Sequence, residues 1–233
     1  PVLNTTAANI ATLTIDDSDA DIAGNELLYT QPNQAGTTLA NIAPGPGSAL
    51  AVAQNRLFFD RSDAAGAYGY SQEYINNVGL QFSPDLGGLL PADAGGCTGF
   101  SPLDEKVILF RERKLYAIFG SGPTPSGGFN NYSDPQEIPS DVGCSEARSI
   151  LRIPGGIIFK SVKGWHLLGR DLTVRYIGAG VARYDARSVC AAVLMGDRQE
   201  ARFASLDENG PTLVYSYLED QWSTFEVGGA GEV

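Results

Sequence analysis

In GGIIFKSVKGWHLLGR (Gly155–Arg170) two apolar runs, GIIF and WHLL, flank a turn at Lys163–Gly164. Short runs of β-branched and aromatic residues bounded by turn formers read as a β-hairpin. The hairpin carries His166, the only histidine of the chain. Whether His166 does chemistry or merely packs depends on whether this hairpin is unique or one of a series.

It is one of a series. Apolar strand, polar turn, apolar strand, turn and further strand recur over Ser48–Gln72, Cys97–Gly120, Arg148–Gly178 and Val189–Val227. In the second strand of each unit, Leu57, Val107, Ile157 and Ala201 open the apolar core, at spacings of 50, 50 and 44 residues. Repeats of roughly 40–50 residues made of strands and turns are propeller blades. The blade-like units run over about 48–82, 97–138, 145–178 and 189–227, after a lone N-terminal strand at about 27–31 within NELLYTQ. The Gly-, Pro-, Ser- and Asn-rich stretch 120–143 has little to bury and reads as an insertion loop projecting from one face.

The expected fold class is therefore all-β: a β-propeller of four-stranded antiparallel blades, about four of them, belonging to a larger ring. The physical reason is burial. A single meander has two faces and can cover neither alone, whereas blades packed face to face cover both. VILF and GIIF, apolar without alternation, fit strands covered on both sides, and the mixed QWSTFEV fits an edge with one wet face. A solenoid requires shorter repeats; a β-sandwich is the structural rival.

Composition agrees with a turn-rich globular chain: 233 residues, 28 Gly, 13 Pro and 43% hydrophobic residues. No apolar run approaches the roughly 20 residues that a membrane helix needs. Twenty-seven acidic against 16 basic residues give a net charge of −11, which opposes tight binding of nucleic acid through its phosphates. Cys97, Cys144 and Cys190 are odd in number and far apart, with no zinc-ligand or secreted-framework spacing, so they read as free thiols of a protein folded in a reducing cytosol. The chain opens at Pro1 with no initiator Met and no signal peptide, and it reads as a piece of a longer protein.

No constellation stands out as a site. Strand alternation puts Trp165 and Leu167 on one face and His166 with Leu168 on the other, leaving His166 without an evident partner. In DDSDADIAG, Asp17, Asp19 and Asp21 mimic the start of a calcium loop, but Ile22 and Leu28 stand where that loop needs Gly and Glu. Asp104, Glu105, Asp171 and Asp185 fall at turns and strand ends, and nothing selects two of them as a glycosidase pair. The basic run Arg111–Lys114 sits in a turn, where exposed charge is ordinary, and GSGPTPSGG lacks the Lys-Ser/Thr of a phosphate loop. Phe100, Tyr116, Tyr132, Trp165, Tyr176 and Trp222 read as packing, since no basic groove accompanies them. The expectation is no catalytic, cofactor-binding or metal-binding residue, no cofactor, and no enzymatic activity.

The run PSDVGCSEARSILRIPGGIIFKSVKGWHLLGRDLTVRYIG (Pro139–Gly178), the earlier LAVAQNRLFF and the later LVYSYLEDQWSTF together resemble the β-propeller nozzle or tubular-tail proteins of short-tailed bacteriophages, over about Leu27 to Phe225. That resemblance implies a virion tail protein assembled in the cytoplasm of a bacterial host. Its partners would be copies of itself in a ring, six by the family's habit, with the portal and adaptor above and other tail proteins around it. Double-stranded DNA would pass through the bore without specific binding, and there would be no membrane insertion. The family carries no catalytic motif, so no active-site residue transfers. An acidic lumen suits such a passage, because a basic one would hold the DNA. The alternative is a propeller module that binds or hydrolyses glycans.

Overall fold

Four antiparallel meanders follow one another along the chain, in a computed structural model that describes residues 44–61, 66–76, 79–124, 130–207 and 210–225. Sheet 1 holds β1 (Leu50–Ala53), β2 (Arg56–Asp60), β3 (Ala67–Tyr70) and β4 (Gly87–Leu89). Sheet 2 holds β5 (Cys97–Leu103), β6 (Lys106–Arg111), β7 (Leu115–Phe119) and β8 (Gln136–Glu137). Sheet 3 holds β9 (Leu151–Ile153), β10 (Gly156–Ser161), β11 (Gly164–Gly169) and β12 (Val174–Tyr176). Sheet 4 holds β13 (Val189–Met195), β14 (Glu200–Ser205), β15 (Thr212–Ser216) and β16 (Gln221–Phe225). Each strand pairs only with its sequence neighbours, so no strand crosses between sheets.

Local chemistry sets the hairpins. Ala53 pairs with Arg56 across Gln54 and Asn55, both with positive φ (50° and 59°), a turn whose twist matches that of the strands it joins. In the Gly155–Arg170 hairpin Ser161 pairs with Gly164, so the turn residues are Val162 and Lys163, one place earlier than the sequence suggests. At the other end Gly156 has φ +152°, and a Cβ there would lie 2.0 Å from the Leu168 carbonyl oxygen. Only glycine lets the two strands close at that point.

The sheets stack in chain order, and three apolar layers fill the spaces between them. Phe58, Tyr68 and Tyr70 of sheet 1 meet Phe100, Val107, Leu109 and Ile118 of sheet 2. Ile108, Phe110 and Leu115, from the opposite face of sheet 2, meet Ile157, Phe159 and Leu168 of sheet 3. Ile158 and Trp165 then meet Ala201, Phe203, Leu213 and Tyr215 of sheet 4. Successive residues of β6 and β10 thus enter alternate layers, which is why both strands are apolar without a break. First strands meet where β1 lies against β5 and β9 against β13, while β5 approaches β10, the second strand of sheet 3. The architecture is all-β and propeller-like, and the described residues close no ring.

Two expectations need adjusting. The fourth strand of sheet 1 is β4, beyond residue 82 where the first unit was expected to end. The stretch 120–143 does not simply project. It supplies β8, and its Tyr132 packs edge-on against Phe58 and Tyr70 (ring centroids 5.8 and 5.0 Å apart). Asn130 also donates to the Tyr70 hydroxyl at 2.7 Å, so the described part of this segment helps fill the first layer. The strand expected at 27–31 and the acidic run at Asp17–Asp21 lie outside the described residues.

Candidate functional site

His166 is buried in β11 between aromatic rings, stacked on Phe159 at 5.7 Å and edge-on to Tyr176 at 5.3 Å. Its Nδ1 lies 3.0 Å from the Gly164 carbonyl, which can only accept, so Nδ1 carries the proton. Burial pushes the imidazole below its ordinary pKa, against the opposing pull of that carbonyl and of Asp141. Ser161 Oγ, 3.3 Å from the same nitrogen, is engaged in its own turn: it donates to the Gly164 carbonyl and accepts from the Lys163 amide. Serine and histidine meet here as members of a tight turn, without the base-to-nucleophile polarity that acyl transfer needs.

The carboxylates raised by the sequence do not converge as a pair. Asp104 is ion-paired with Arg170 (3.3 Å) and lies 3.9 Å from Lys106. Asp171 accepts from the amide and hydroxyl of Thr173, which holds its carboxyl below the usual range. Glu105 offers its backbone carbonyl to Gln54 of the neighbouring sheet. Asp185 approaches the backbone at Gly164, has one buried oxygen without a hydrogen bond, and is raised in pKa by burial. All three cysteines are free; burial pushes the Cys144 thiol up and that of Cys97 to about 12, the opposite of a nucleophile's needs. Among the described residues no group of three or more His, Cys, Asp or Glu could hold a metal.

The basic run Arg111–Lys114 divides. Arg113 is exposed, and Lys114 bridges Asp93 (3.2 Å) and Glu137 (3.0 Å). Arg111 departs from the expected exposure: it is buried at the end of β6 and donates to the Gly95 carbonyl. Arg56 and Lys160 are buried as well, and sequence reasoning passed over both. Arg56 donates to the carbonyls of Ser71 and Pro123, tying sheet 1 to the segment after β7. Lys160 Nζ donates to Glu146 at 2.6 Å and to the Arg187 carbonyl, while the other Glu146 oxygen accepts from Val189 N at 2.6 Å. These bonds join sheet 3 to the first residue of sheet 4. The available signal was placement: each cation sits at one end of an apolar second strand, in RLFF, ILFR and IIFK.

A hollow of about 370 Å³ lies between the last strands of sheets 3 and 4, lined among others by Arg175, Tyr176, Gly180, Asp220, Gln221 and Trp222. Asp220 is held from two sides: both Arg175 Nη atoms donate to it, one at 3.2 Å, and the Tyr215 hydroxyl donates to Oδ1. Arg175 and Tyr215 keep the Asp220 carboxyl below its ordinary value, and burial together with Asp220 pushes Tyr215 up to about 12. Trp222 is half-buried against Trp165 and Tyr215, and its Nε1 donates to the Ile177 carbonyl at 2.7 Å. Tyr176 and Trp222, read from sequence as packing, thus also line an open hollow.

No protein-family model matches this chain, and no curated protein is significantly similar to it in sequence.

Proposed function

We propose that this chain is a structural protein of a tailed-phage virion, part of the nozzle or tube below the portal and adaptor. It would assemble in the bacterial host cytoplasm, form a ring with copies of itself, and let double-stranded DNA pass during ejection. It performs no turnover in this reading. The observation that carries it is the contrast between covered and uncovered faces. Three layers between sheets are filled, yet sheet 1 presents Leu50 and Val52 at 65% and 70% exposure, and sheet 4 presents Val193 and Phe225 at 51% and 61%. Exposed apolar faces on sheets of this kind are sites of association. The net charge of −11 supports passage of DNA over adhesion to it.

Electron microscopy of the purified chain, with mass measurement at micromolar concentration, tests the proposal. Rings with a central bore, or incorporation into tail particles, are expected. A monomer at every concentration that also fails to enter tail particles overturns it. The hollow between β12 and β16 favours a glycan-binding role for one part of the surface.

A further inference from the structure

The geometry points to a binding groove for neutral glycans between β12 and β16, beyond the structural role proposed above. A pyranose presents an apolar face of C–H groups and a rim of hydroxyls that both donate and accept. A complementary site needs an aromatic surface beside polar groups of both kinds, already oriented. The hollow supplies them. Tyr176 is 46% exposed, Gln221 is exposed and offers an amide that donates and accepts, and the Arg175–Asp220 pair sets donors beside acceptors. The volume of about 370 Å³ falls in the range of ligand sites.

Rigidity strengthens the assignment. Asp220 is fixed by Arg175 and Tyr215, and Trp222 by its bond to the Ile177 carbonyl, so a sugar meets groups already in place. Anionic ligands fit less well. The Arg175 charge is already neutralised by Asp220, and the chain as a whole is strongly acidic, so a phosphate or acidic polysaccharide gains little. The outer main chain of the edge strands β12 and β16 leaves an extended peptide as the competing occupant, which titration separates from a glycan.

The test is titration of the full chain against an array of neutral hexose and N-acetylhexosamine oligomers, followed by calorimetry and tryptophan fluorescence on the best binder. Saturable binding is expected. Tyr176→Ala is expected to weaken it about tenfold through the lost aromatic contact. Gly180→Leu provides a second variant that removes no polar group. Gly180 lies over Trp222, with room for a Cβ at ordinary contact distance (3.5 Å), so a larger side chain fills the hollow and should block binding. Unchanged thermal midpoints show that both variants fold. The inference is overturned if no neutral oligomer binds at millimolar concentration, or if binding survives both variants. Preference for an acidic polysaccharide or a peptide overturns it too. Ring formation is scored separately, so the groove and the structural role can fail independently.

Discussion

Sheets 2 and 3 differ from sheets 1 and 4 in one respect, and most of the molecule's character follows from it. The second strands β6 and β10 are buried along nearly their whole length, whereas β13, β14 and β16 of sheet 4 alternate or lie largely open. In sheet 1 β1 is open, but β2 and β3 are buried and Phe82 packs edge-on against Phe59. All four sheets share the same meander, so strand pairing does not separate them. What separates them is the number of neighbours. A sheet with two neighbours spends both faces on the core. Sheet 4, with one, keeps a face open; sheet 1, with one, covers β2 by its own Phe82 and leaves Leu50 and Val52 of β1 open.

The comparison can be broken most directly at β10. Phe159 is fully buried between Phe110 and His166, and Phe159→Ala is expected to cost about 3–5 kcal/mol by urea denaturation. Removing Lys160, through Lys160→Ala, leaves Glu146 without its cation between sheets 3 and 4. A loss of roughly 3 kcal/mol is expected, with a cooperativity change if sheet 4 then unfolds separately. Gly156→Ala, placed where φ is +152° and the Leu168 carbonyl blocks a Cβ, is expected to cost roughly 1–3 kcal/mol in the same assay.

A smaller effect comes from His166, whose burial lowers its pKa from the ordinary 6.5. The unfolded chain takes up a proton near that value while the folded one resists it. The His166 contribution is therefore intact above about pH 6.5 and is lost as pH falls below it. Asp185 has the opposite sign: its raised carboxyl protonates first in the folded state, so acid below that raised value favours folding. Denaturation midpoints between about pH 7 and pH 5 should slope downward in the parent and flatten in His166→Gln. The smallest effect on stability is expected at the open faces, where Val52→Ser or Val193→Ser should stay within about 0.5 kcal/mol yet impair assembly. If either costs as much as Phe159→Ala in the isolated chain, the face is covered and the distinction between inner and terminal sheets fails.

Much of the architecture was legible before any coordinates. The recurrence of Leu57, Val107, Ile157 and Ala201 marked β2, β6, β10 and β14, and the unbroken GIIF and VILF runs marked the strands with two covered faces. The alternation of Trp165 with His166 correctly separated the layer toward sheet 4 from the layer toward sheet 2. Short strands resisted detection: Gly87–Leu89 and Gln136–Glu137 have no apolar period to show, because they are held by hydrogen bonds to β3 and β7. The candidate site was harder still. Arg175 and Tyr176 are 45 residues from Asp220 and Gln221, and no local pattern joins them.

Chain order, turn chemistry and the alternation of side chains are short-range properties, so the residues alone determined that the chain makes repeated antiparallel meanders with two apolar faces. Which cation is buried, which carboxylate answers it, and which aromatic side chains line a common hollow depend on contacts between sheets distant in sequence. Those were decided only by the stack, since the free energy of a buried charge or an open aromatic depends on what lies across from it and not on its neighbours along the chain.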